Sequence, residues 1–102
     1  MRTAECLKQL EGCEPRRVLR VTGIGRRGAD SEAVRAYFAR RYGAIESLLV
    51  ANNLECKNMM GFMLMMDEHD VTRALADGQV HEVVPGGSVQ VRSLEFRQER
   101  LT

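Results

Sequence analysis

Short stretches of alternating apolar and polar residues recur along this chain, separated by glycine turns and by two stretches of helical period. Val18 to Ile24 carries Leu19 and Val21 on one face and Arg20 and Thr22 on the other, which predicts a strand from Arg16 to Ile24. Gly23, Gly25 and Gly28 then form a loop that contains Arg26 and Arg27. Asp30 or Ser31 is a good N-cap, and Glu32 suits the positive end of the helix that follows. That helix is predicted from Glu32 to about Tyr42, with Val34, Phe38 and Tyr42 on one stripe and Gly43 as its stop.

The next strand is predicted over Ile45 to Ala51, with Ile45, Leu48 and Val50 facing a core and an irregularity between Ile45 and Leu48. After a turn from Asn52-Asn53 to about Lys57 comes Asn58-Met59-Met60-Gly61-Phe62-Met63-Leu64-Met65. Here Gly61, Met63 and Met65 share one face, and Met60, Phe62 and Leu64 share the other. A second helix starts at Asp67 or Glu68, includes Val71, Ala74 and Leu75, and ends at Asp77-Gly78. Val80 to Val84 is a short extended piece, Pro85-Gly86-Gly87 a turn, and Val89 and Val91 alternate with Gln90 and Arg92 in a last strand.

The order is strand, helix, strand, strand, helix, strand. It predicts an α+β sandwich, βαββαβ, in which two helices cover one face of a four-stranded antiparallel sheet. Residues 1–15 are expected to be a flexible or weakly docked extension. Leu7 and Leu10 with Cys6 suggest a short helix there, and Gly12 and Pro15 end it. Residues 16–96 are the expected domain and 97–102 a polar, mobile tail. A chain of 102 residues suffices for one such domain.

Composition removes several function classes. No apolar run reaches the length of a membrane span, and no membrane partner is expected. Three cysteines without Cys-x-x-Cys spacing argue against a disulfide framework and against structural zinc. Free thiols point to an intracellular, reducing compartment, with nucleus, cytoplasm and mitochondrion not distinguished. His69 and His81 have no ligand pattern near them; helix surface and loop are their expected places. No triad, phosphate-binding loop or metal spacing marks an enzyme, and neither a metal nor another cofactor is expected. Gly23-x-Gly25-x-x-Gly28 matches a dinucleotide fingerprint only superficially, because no crossover to a parallel strand follows.

Charge adds a partner. The formal net charge is +1, yet residues 16–41 hold eight arginines against Asp30 and Glu32, or +6. Residues 42–91 hold two basic residues against seven acids, or −5. Thirteen of the fifteen basic residues are arginine, the side chain that both stacks on bases and forks onto phosphate.

Four segments together resemble the RNA recognition motif family, in the style of its heterogeneous nuclear ribonucleoprotein and Musashi members. They are Leu19 to Ile24, Phe38 with Tyr42-Gly43-Ala44-Ile45, Asn58 to Met65, and Val71-x-x-Ala74-Leu75 followed by His81-Glu82-Val83 and Gly86. The resemblance spans Arg17 to about Phe96. It implies a non-catalytic RNA-binding module, part of a ribonucleoprotein and of messenger RNA processing, whose exposed sheet face stacks bases. The three stacking positions are occupied by Arg20, Met60 and Phe62, so one aromatic remains, and Asn58 replaces the basic residue that opens the octapeptide. The implied RNA contacts are Arg20, Thr22, Met60, Phe62 and Leu64 on the sheet, with Arg26, Arg27, Lys57, Arg92 and Arg97 around it. The expected ligand is single-stranded RNA, bound with modest affinity. The alternative is a protein-interaction or homodimerisation module that uses Met60, Leu64 and Leu49 around Phe62 as an exposed apolar patch. A tryptophan-capturing variant of the family is disfavoured, because Val83-Val84-Pro85-Gly86 stands where that variant has Arg-x-Phe.

Overall fold

The computed structural model describes residues 3–25, 28–51 and 59–94. The elements are α1 (Thr3–Gln9), a 3-10 turn (Pro15–Arg17), β1 (Val18–Ile24), α2 (Ser31–Arg41), β2 (Ile45–Ala51), β3 (Met59–Met65), α3 (Glu68–Ala76), β4 (Val80–Val84) and β5 (Gly87–Ser93). The strands form one antiparallel sheet in the order β2-β3-β1-β5-β4.

Two details differ from the expected four strands and two helices. Val80–Val84 pairs with β5 as a fifth, terminal strand, because Pro85 and Gly86 (φ 77°) close a two-residue hairpin between Val84 and Gly87. The third helix is α1. The first fifteen residues, expected as a flexible or weakly docked extension, form a helix over Thr3–Gln9 and insert Cys6 and Leu10 into the protein.

Local chemistry sets the helix ends. Asp30 caps α2, its Oδ1 accepting from the Ala33 amide at 2.8 Å, and Asp67 caps α3, accepting from the His69 amide at 2.9 Å. Val34, Phe38 and Tyr42 are buried, as their spacing predicted, against Leu19, Val21, Met63, Met65, Val89 and Val91 on the inner face of the sheet. The irregularity predicted in β2 is a register shift between Ile45 and Ser47. It lets Ile45 and Leu48 both pack on that inner core.

His81 lies in β4 rather than in a loop, and it is buried. Its Nε2 donates to the Ala74 and Gly78 carbonyls, at 3.0 and 3.1 Å, which satisfies carbonyls at the C-terminal end of α3. Nδ1 shares a hydrogen bond with the Tyr37 hydroxyl at 3.0 Å. Rings of Tyr37, Phe38 and Tyr42 surround the imidazole, with centroids 5.2–6.0 Å away. Sequence spacing alone could not place this histidine, because its partners come from α2 and α3.

Tyr42 donates to Asp77 Oδ2 at 2.7 Å. Burial first, then this bond, pushes its phenol up to about 12. The fold favours the neutral phenol, so the stability it supplies is complete below the ordinary tyrosine pKa of about 10 and is lost as pH rises from there through about 12. Tyr42→Phe should therefore remove one high-pH step from a tyrosinate absorbance titration. It should also lower neutral-pH stability by about 1–3 kcal/mol by removing the bond to a charged partner.

Gly61 sits in the middle of β3 facing the inner core. A Cβ there would lie 2.6 Å from Ile24 Cδ1 and 3.1 Å from Leu48 Cδ1. The missing side chain is what lets those two branched residues meet. Gly61→Val should lower unfolding free energy by about 1–3 kcal/mol in urea titrations, as overpacking does.

Candidate nucleic-acid interface

The outer face of the sheet, opposite α2 and α3, follows from strand register. One row across it runs Leu49, Phe62, Arg20, Arg92, each the registered partner of the next. A second row runs Ala51, Met60, Thr22, Gln90, Val80. The Ser47, Leu64, Val18 row lies beside them. Apart from Ser47 of β2 and Val18 at the start of β1, the face divides by strand: β2 and β3 supply apolar side chains, while β1 and β5 supply arginine, threonine and glutamine.

The apolar half is covered. Cys6 and Leu10, from α1 and the turn after it, form one buried cluster with Val18, Ala51, Phe62, Leu64 and Leu94. Leu7, Cys13, Leu49 and Met60 pack around that cluster. Phe62 points outward as its alternation predicted, but its ring is 0% exposed and Leu64 is 3% exposed. The exposed apolar patch expected around Phe62 is thus not present: α1 is seated on it. The physical reason is that such a patch in water loses the free energy that a nearby apolar helix face can recover. Burial also pushes the Cys6 thiol above its ordinary pKa. The signal for this docking was in the sequence. Cys6, Leu10 and Cys13 recur at helical spacing and need a surface, and the outward side of β3 is the apolar surface without another cover.

The polar half is open. Arg92 and Gln90 are exposed, Arg20 and Thr22 half-buried. Arg20 and Arg92 stand opposite one another on adjacent strands. Of the residues expected to contact RNA, Arg20, Thr22, Met60, Phe62, Leu64 and Arg92 share this face, whereas Arg26, Arg27, Lys57 and Arg97 lie outside the described residues. Gln90, central to the open half, was not among the expected contacts; its alternation with Val89 and Val91 carried that information.

Two arginines are tied into the protein's own contacts. Arg17 donates through Nε to the Met65 carbonyl at 2.9 Å and pairs with Glu46 at 3.1 Å, tying the start of β1 to β2 and β3. Arg73 bonds Asp70 and the Tyr42 carbonyl and lies over the Tyr42 ring. Among the described residues, no group of His, Cys, Asp and Glu could hold a metal ion, and no helix is long and apolar enough to cross a membrane.

No protein-family model matches the chain, and no curated protein does. Solved structures do. Two structures of the RRM3 domain of Mip6 superpose with TM-scores of 0.64 and 0.61, at 15% identity in each case. Each match covers 78% of this chain and 94% of the Mip6 domain. At that identity the likeness establishes the fold: this chain has the fold of an RNA recognition motif.

The seat of α1 is testable through Cys6. In a Cys13→Ser, Cys56→Ser background, thiol modification followed by mass spectrometry should find Cys6 protected. Adding Leu10→Ala should lower stability by about 2–5 kcal/mol and speed that modification, because Leu10 shares the buried cluster with Cys6.

Proposed function

We propose that the protein is a single-stranded RNA-binding module that holds its ligand on the open half of the outer sheet face, with α1 in place. The observation that carries this reading is the registered pair of half-buried Arg20 and exposed Arg92, flanked by Thr22 and Gln90, on the half of the sheet face that α1 does not cover. The arginines neutralise phosphate and lay guanidinium planes against bases. Thr22 and Gln90 offer donors and acceptors to base edges. Arg26, Arg27, Lys57 and Arg97 extend the basic border in this proposal.

Magnitudes decide the role of Phe62. Stacking one base on an aromatic ring yields about 1–3 kcal/mol. Exposing one buried leucine side chain costs about 1.5–3 kcal/mol, and lifting α1 would expose Leu10 and Cys6 together. A single stacked base does not displace the helix. Phe62 and Leu64 accordingly serve as the seat of α1, and Met60 borders the ligand surface. Affinity is modest because stacking is replaced by charge and hydrogen bonding.

Fluorescence anisotropy with a labelled mixed-sequence single-stranded RNA tests this. Arg20→Ala with Arg92→Ala should weaken binding and flatten the plot of log affinity against log salt by roughly 0.7 for each phosphate no longer neutralised. Phe62→Leu should lower stability and leave RNA affinity unchanged. Strong loss of affinity in Phe62→Leu, with the double arginine variant unaffected, would instead identify a stacking face uncovered by movement of α1.

A further inference from the structure

On the opposite layer from the proposed RNA surface, a groove of about 520 Å³ runs between α2 and β4. Ala33, Ala36 and Tyr37 of α2 form one wall, and Val83 and Val84 of β4 form the other. The second wall depends on an irregularity. The β4–β5 register shifts between Glu82 and Val84, so Val83 and Val84 both pack toward the inner core where strict alternation would send one of them to the outer face. β4 is also the terminal strand of the sheet, paired among the described residues with β5 alone, so among these residues one lip of the groove is a strand edge.

The rim is cationic. Arg40 and Arg41 border the groove, and none of its lining residues is acidic. Arg41 is held in position, its guanidinium carbon 5.7 Å from the centre of the Tyr37 ring. Arg40 is exposed and makes no ion pair among the described residues. Two adjacent arginines beside small and branched apolar walls favour an occupant with aliphatic side chains and carboxylates. A second copy of this chain presenting the same groove would set arginines against arginines. RNA bases find no free flat ring in it, since Tyr37 is packed edge-on to Phe38 and against His81 and Arg41.

We propose that the α2–β4 groove is a docking site for an acidic, aliphatic segment of a partner protein. The segment lies extended along β4, places aliphatic side chains between Ala36 and Val84, and sets carboxylates against Arg40 and Arg41. This contact uses neither the outer sheet face nor α1, so it stands whether or not that face binds RNA.

The test is an NMR titration of the isotope-labelled full chain with a synthetic peptide in which Leu-Val-Leu is flanked by Asp-Glu pairs. Amide shifts should concentrate on Tyr37, Arg40, Val83 and Val84, and salt should weaken the binding. Exchanging each peptide acid for lysine should abolish it, as should exchanging each aliphatic residue for serine. Ala36→Glu and, separately, Arg40→Glu should each lower affinity about tenfold or more. Both positions are exposed on α2, so either variant suffices if the other does not fold. Binding indifferent to the peptide's charge, no shifts in the groove, or single-stranded RNA shifting these same residues while the peptide does not would each overturn the proposal.

Discussion

The described structure is arranged around an interior strand, β3, that is buried on both of its faces. From Gly61 to Met65 every residue of β3 is inaccessible. Met63 and Met65 face the core beneath α2 and α3, and Phe62 and Leu64 face the cluster beneath α1. An antiparallel sheet of this kind can leave one face to water only if that face is polar. Here it is apolar over β2 and β3, so burial of Phe62 and Leu64 demands a cover, and α1 supplies it. A three-layer arrangement follows over half of the sheet, with two layers over the rest. The polar residues of β1 and β5 are left open where the cover ends.

That division gives the outer face its character. A strand order that places β3 next to β1, and β1 next to β5, sets apolar and basic residues in the same rows, side by side. Phe62 and Arg20 are registered partners, yet one is sealed and the other is only half-buried. The aromatic of this face is a packing residue beneath α1, and the uncovered half carries arginine, threonine and glutamine. The helical layer is organised separately, by the contacts of His81 with Tyr37 and the end of α3.

Much of the fold was legible in the residues. Capping at Asp30 and Asp67, the Val34, Phe38, Tyr42 stripe, the alternation around Gly61 and the irregularity in β2 are local signals, and local signals survive in sequence. Alternation also placed Phe62 on the outer face. What it could not say is whether that face meets water, because the cover comes from residues some fifty positions away in a short stretch ended by Gly12 and Pro15. His81 escaped for the same reason: its partners at Tyr37, Ala74 and Gly78 come together only through the packing of both helices on the sheet. The groove beside β4 depends on a register shift that no periodicity announces. Likewise Arg17 and Arg73 read like any other arginine until the structure tied them to backbone carbonyls and carboxylates.

The central claim is that RNA meets the polar half of the sheet while α1 stays seated on the apolar half. Amide shift mapping of the labelled protein against a mixed-sequence single-stranded RNA at low salt tests it most directly. The account predicts shifts at Thr22, Gln90 and Arg92, with the amides of Cys6, Leu7 and Leu10 remaining at their positions. Release of the α1 amides together with large shifts at Phe62 and Leu64, or an absence of shifts along β1 and β5, would contradict it.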